Sequence, residues 1–258
     1  MHAAAQLTPY FDVAQLALWA FWIFFAGLVV YLQRESTREG FPLVSDKPGR
    51  IGLQEPAVLP APKTFLLKNG TTVLAPRFEE PEAEPKAVPS AGFPGAPLIP
   101  TGDPLVDGVG PAAWANRTDV ADIMWETGEP RIVPMRVDPA YFVAPEDPNP
   151  VGFDVIGCDD MVAGQVVDTW VDRSETVIRY LEIKLTGSGK IVLAPLAMSV
   201  VKGKARQVKI RSITSTQFFN VPTLRNAEQI TRLEEDKICA YYAGGTLYAT
   251  AARQEPLL

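Results

Sequence analysis

The 258-residue chain has a single histidine, His2, and two cysteines, Cys158 and Cys239, with no C-x-x-C spacing. Histidine is the commonest general base and metal ligand. From residue 3 onward, a Ser-His-Asp triad, a Cys-His pair and a His-ligated metal are therefore excluded. Two cysteines 81 positions apart make no disulfide framework, and they are expected to be reduced and packed. Lysine and arginine are absent from the first 33 residues. A secretory signal needs a basic start, a short apolar core and a small-residue cleavage site. The stretch Arg34-Glu35-Ser36-Thr37-Arg38-Glu39 offers no such site, so the N-terminal segment is expected to stay. Basic excess is lacking too. The net charge of −6 argues against nucleic acid as a partner and against electrostatic docking on anionic lipid.

What the chain does have is one long apolar run. Val13 to Leu32 reads VAQLALWAFWIFFAGLVVYL, with no charge and only Gln15 strongly polar. As a helix, twenty residues reach about 30 Å, the thickness of a bilayer's hydrocarbon core. A single transmembrane helix is expected over residues 12–33, with Trp19 and Trp22 inside the span and Tyr10 and Tyr31 near its ends. The first basic residues, Arg34 and Arg38, follow the run. The positive-inside rule then puts residues 1–11 in the periplasm and the rest in the cytoplasm.

Residues 42–111 hold 14 of the 24 prolines. Proline removes a backbone donor and restrains the residue before it, so helix is not expected there. Phe65, Leu66, Leu67, Phe93, Leu98 and Ile99 make the segment apolar as well. Residues 34–110 are thus expected to form an extended arm on a partner's surface. Asn69-Gly70 between two apolar runs predicts a two-residue hairpin, and the acidic run from Glu79 to Pro85 reads as solvated.

From about Val151 the pattern changes to short strands: MVAGQVVDTWVD, TVIRYLEIKL, KIVLAPLA and RQVKIRSI, with a turn at Thr186-Gly187-Ser188-Gly189. This predicts a small antiparallel barrel or sandwich within a domain at 111–258. Thr231-Arg232-Leu233-Glu234 is a capping box that opens a closing helix at about 231–243, with Gly244-Gly245 as its stop. Gly187-Ser188-Gly189-Lys190 lacks the leading glycine of a phosphate loop and has Ile191 where Ser or Thr would bind magnesium, so it reads as a turn. The sequons Asn69-Gly70-Thr71 and Asn116-Arg117-Thr118 fall on the expected cytoplasmic side, where they carry no glycan.

Several strings occur together and in order: Arg38-Glu39-Gly40-Phe41-Pro42-Leu43 after the anchor, Pro62-Lys63-Thr64-Phe65, Pro100-Thr101-Gly102-Asp103-Pro104-Leu105 and Asp107-Gly108-Val109-Gly110-Pro111-Ala112. Trp170-Val171-Asp172-Arg173-Ser174-Glu175 and Leu233-Glu234-Glu235-Asp236-Lys237-Ile238-Cys239, leading into Ala243-Gly244-Gly245, complete the set. In this the chain resembles the H-subunit family of purple-bacterial photosynthetic reaction centres, over nearly its whole length. The resemblance implies one transmembrane helix plus a cytoplasmic PRC-barrel, in a single-pass protein of the bacterial inner (intracytoplasmic) membrane.

The resemblance further implies a non-catalytic subunit that binds no cofactor itself. It would cap the two pigment-binding core subunits, L and M, and help carry protons to the secondary quinone. Bacteriochlorophyll, bacteriopheophytin, quinones and non-haem iron would belong to those partners. Membrane lipid, a cytochrome subunit and light-harvesting antenna are further partners in such a complex. Asp172 and Glu175 match the inner proton-relay acids of the family, and Arg179 matches a basic position that could offset their charge. Such acids relay when burial and neighbouring acids raise their pKa toward working pH. One departure is plain. Relatives place two histidines and an aspartate before a Pro-Met pair, where protons are taken up; the stretch before Pro134-Met135 has no histidine here. Asp122, Glu126 and Glu129 are the remaining titratable candidates for uptake, and inhibition by transition metals through histidine is not carried over. The alternative of another class is a membrane-tethered PRC-barrel adaptor that recruits a soluble partner.

Overall fold

The computed structural model describes residues 6–8, 11–38, 61–68, 70–75, 84–93 and 95–254. His2, Tyr10, Asn69, residues 39–43 and the acidic residues 79–83 lie outside that set. Two compact units make up the chain: Met1–Ala83 with Phe93–Gly95, and Glu84–Gly92 with Ala96–Leu258.

In the first unit, helix α1 runs Val13–Arg38. Asp12 Oδ1 accepts from the Gln15 N–H at 2.6 Å and so satisfies one of the orphan donors of the first turn. The helix continues five residues past the expected span, because Arg34, Glu35 and Arg38 are good helix formers once the apolar run ends. It is long and apolar enough to cross a membrane. Trp19, Phe21, Trp22, Ile23 and Phe24 are all at least half exposed, a ring of apolar surface suited to hydrocarbon. At the far end Glu35 accepts from Arg38 Nε (3.1 Å) and Lys63 Nζ (2.8 Å), and Arg38 donates to the Ala61 carbonyl. These bonds tie the helix end to a hairpin of Lys63–Leu66 with Thr72–Ala75. The loop is longer than the two residues expected. The Gly70 N–H donates to Leu67 O at 2.9 Å and the Leu67 N–H to Thr71 O at 2.7 Å, with Gly70 at φ +82°.

In the second unit, strands β1 (Ile132–Pro134), β2 (Asp154–Ile156), β3 (Val162–Asp172), β4 (Val177–Leu185), β5 (Ile191–Pro195), β6 (Ser199–Lys202) and β7 (Gln207–Ile210) form one sheet. Its order is β5-β4-β3-β2-β7-β6, with β1 also paired to β3. Long β3 pairs with β2 through its first residues and with β1 through its last. All pairings are antiparallel except β2–β7, which departs from the purely antiparallel expectation. The outermost strands β5 and β6 are joined by only Leu196–Met198. In a flat sheet they would stand about 24 Å apart, at ~4.8 Å per strand interval. Three residues span at most about 14 Å, so the sheet curls on itself. Trp170, Leu181, Ile183, Leu193 and Ile210 belong to its buried core, each at most 1 % exposed.

Helix α2, Arg232–Tyr248, covers this core with Ile238, Tyr241 and Tyr242. Its capping box is formed: Glu234 N–H donates to Thr231 Oγ1 at 3.1 Å, and Thr231 N–H donates to Glu234 Oε2 at 2.9 Å. The expected stop at Gly244-Gly245 does not occur, and the helix passes through both. A Cβ on Gly244 would collide with Ala112 and Leu105, and one on Gly245 with Ser212 and Ile213. These glycines allow close packing rather than chain reversal. Leu105 arrives on a short helical turn, Pro104–Asp107, capped by the Asp103 side chain and ended by Gly108 at φ +70°, and Ala112 on the 3-10 turn Gly110–Ala112 that follows. Helix does therefore form inside the proline-rich stretch, with proline at its tolerated first position. Residues 84–92 and 96–110, counted with the arm by sequence, fall in the same unit as the barrel. Within that unit Val88, Leu98 and Ile99 of the hairpin Ala87–Pro89/Leu98–Pro100 stay exposed.

Candidate functional site

The turn between β3 and β4 is built on one carboxylate. Asp172, the last residue of β3, accepts at Oδ1 from the N–H groups of Ser174 and Glu175, both at 3.1 Å. Its carbonyl accepts from the Thr176 N–H at 2.8 Å, and Thr176 sits in the left-handed region at φ +55°. This tie sets the Glu175 side chain beside Asp172.

Two arginines close on the pair. Arg131, directly before β1, donates through Nε to Asp172 Oδ1 (2.9 Å) and approaches Oδ2 with Nη2 (2.7 Å), a bidentate grip. The same Nη2 meets Glu175 Oε1 at 2.6 Å. Arg179 donates through Nε and Nη2 to Asp172 Oδ2, both at 3.2 Å, and through Nη2 to Glu175 Oε2 at 2.7 Å. Its reach has a backbone cause. In the β3–β4 register Ile178 pairs with Val171 and Tyr180 with Trp170, which leaves Arg179 as the extra residue of a β-bulge. A bulge re-aims its side chain.

Asp172 is wholly buried. Burial alone would raise its pKa, but the Arg131 bonds, the Glu175 N–H, and the Arg179 bonds outweigh it and hold the carboxyl below the usual aspartate range. This corrects the expectation that neighbouring acids push it upward: Arg131 and Arg179 each reach both Asp172 and Glu175. Asp172 is a fixed anion. Glu175 is half exposed, at 51 %, and its ion pair with Arg179, itself 42 % exposed, contributes about 0–1 kcal/mol. Asp172 is shut off from solvent, whereas Glu175 opens onto it.

The three acids expected at the uptake mouth separate. Asp122 joins the cluster: it meets Arg232 Nη2 at 2.5 Å and Arg131 Nη1 at 3.5 Å, and the Arg232 bond leads the effects that lower its pKa. Glu129 pairs instead with Arg173 Nη1 at 3.0 Å, a side chain shared with Asp138. Glu126 lies exposed in the loop between them and has no ion pair among the described residues. Arg131, Arg173 and Arg232 did not stand out in the sequence. Arg131 is 41 positions from Asp172, and its one local signal is that it precedes the apolar triplet of β1. The glycine-rich turn is a turn, with Gly187 and Gly189 at positive φ, and Lys190 donates to the carbonyls of Phe219 and Val221. Both cysteines are free and half-buried.

Comparison with known families agrees with this architecture. The family described as photosynthetic reaction centre, H-chain N-terminal region, matches residues 5–137, just over half of the chain and including α1 and β1. The PRC-barrel domain matches residues 146–217, from before β2 to beyond β7. With its apolar N-terminal helix, its curled β-domain and its C-terminal helix, the chain belongs to the photosynthetic reaction centre H-chain family.

Proposed function

We propose that this chain is the H subunit that caps the L and M subunits on the cytoplasmic side and helps conduct protons to their secondary quinone. The observation that carries the proton reading is Glu175: a half-exposed carboxylate fixed beside the buried Asp172 carboxylate by two shared arginines. A buried quinone that takes up two electrons and two protons cannot draw those protons through hydrocarbon. A capping domain must therefore supply titratable groups and ordered water. Asp172, Arg131 and Arg179 position Glu175, which exchanges the proton. Asp122, Glu126 and Glu129 collect protons at the surface of the same domain. The match over residues 5–137 favours this reading over the adaptor, because anchor and arm are the parts an adaptor would share least. Exposed Phe65, Leu66 and Leu74 on the first hairpin, and Leu98 and Ile99 on the second, supply apolar surface for the core subunits.

The orientation has its own test. Arg34 and Arg38 at the end of α1 support, by the positive-inside rule, a cytoplasmic barrel. Protease added to sealed right-side-out spheroplasts should leave the barrel intact, and inside-out vesicles should lose it. The reverse pattern contradicts the orientation.

A further inference from the structure

Glu235, in the first turn of α2, is half-buried and borders this cluster without sharing its arginines. Asp122, Asp172 and Glu175 each meet at least one guanidinium within 3.5 Å. Glu235 makes no ion pair among the described residues. Its hydrogen-bond partner is the buried Tyr180 hydroxyl, which donates to Oε2 at 2.7 Å and lies 3.7 Å from Cys239 Sγ. The charged and titratable groups that act on it are Arg179 and Tyr180 from β4, Asp172 from the end of β3, Asp122 from the loop before β1, and Cys239 one turn along its own helix. Burial is the largest influence and pushes its carboxyl above the ordinary glutamate range; Asp122 and Asp172 push the same way. The Tyr180 bond, Arg179 and the positive end of α2 oppose this, and the net direction remains upward.

The geometry points to Glu235 as the proton reservoir of the cluster, a carboxyl that takes a proton from bulk water when negative charge appears nearby and returns it as that charge is neutralised. This rests on the proton-conducting reading above. Only an O–H bond forms and breaks: the proton comes from cytoplasmic water, resides on the Glu235 carboxyl, and leaves through water toward Glu175. Tyr180 is a positioning residue, since its hydroxyl stabilises the ionised form and holds Oε2 in place. Coulomb coupling in a half-buried site makes such a carboxyl sensitive to charge a few ångströms away.

The test uses the intact pigment-containing complex. Infrared difference spectra recorded in the dark as a function of pH should show a protonated-carboxyl C=O band that titrates above an ordinary glutamate. The band should vanish in Glu235→Gln and titrate at still higher pH in Tyr180→Phe, which loses one hydroxyl and keeps its ring packing. Flash-induced proton uptake after one electron, read with a pH-indicator dye, should fall in Glu235→Gln over the pH window in which the band titrates. A band that survives Glu235→Gln overturns the assignment, as does a lost band with unchanged uptake. The dark titration does not depend on quinone chemistry, so failure of the Glu175 relay leaves it readable and the two outcomes separate.

Discussion

Replacing Glu175 by Gln should slow the second electron transfer to the secondary quinone by about 10²-fold or more, the low end for loss of a positioned acid–base group with no parallel route. The amide keeps the shape and its one oxygen can still accept from Arg131 or Arg179, while both arginines keep their grip on Asp172. The first electron transfer needs little net proton uptake and should change only slightly. Small weak acids, which carry protons by diffusion, should restore the rate. Flash kinetics between pH 6 and 9 read both steps. A normal second-electron rate across that range removes Glu175 from the path.

Replacing Asp172 by Asn should act on stability as well. The variant keeps an oxygen for the Ser174 and Glu175 N–H groups and loses the anion to which two arginines bind. Removing one partner of a buried pair costs about 3–5 kcal/mol. Arg131 and Arg179 are 25 % and 42 % exposed and regain some hydration, so about 2–3 kcal/mol is expected. Because the folded-state pKa of Asp172 lies below its unfolded value of 3.8, its contribution is full well above that pH and is lost as pH falls through the folded pKa. The difference between wild type and variant, measured by denaturant unfolding of the complex, should therefore shrink below about pH 4. Glu175→Gln, at an exposed position, should stay within about 0.5 kcal/mol of wild type. Asp172→Asn should also slow the second electron through a misplaced Glu175. The two effects on the second electron should not add in the double variant, since both changes act on one path. Equal stability of the two single variants would contradict the division between holder and exchanger.

The elements legible in the sequence are those with many residues repeating one pattern. The apolar run of α1, the alternating β3 and β4, and the capping box of α2 all announce themselves locally. Strands β1, β2 and β6 have three or four residues each, too few to show a pattern, and β1 takes its place from a distant partner, Asp172 with Ile132. The parallel β2–β7 pair joins residues about 53 positions apart and leaves no local trace. Gly244 and Gly245 look like a stop from sequence because their real cause, Ala112 and Ser212 pressed against the helix, lies in other segments.

The site divides along the same line. Asp172, Glu175 and Arg179 are legible only through the family resemblance of the string that carries them; taken bare, an acidic pair at a strand end reads as a solvated turn. Arg131, Arg232 and Glu235 were missed because only the fold brings them to that hairpin. The sign of the Asp172 shift depends on Arg131 together with Arg179, so it is not readable from an acidic string alone.

The central claim, that this chain is a subunit of a photosynthetic reaction centre, is tested most directly by the absorbance spectrum of the chain purified from its native membrane in mild detergent. The account expects near-infrared bacteriochlorophyll bands that co-elute with this chain at a constant ratio through successive columns, together with two further membrane subunits. A chain that elutes intact and free of pigment, while the pigment elutes elsewhere in an assembled core, would contradict it.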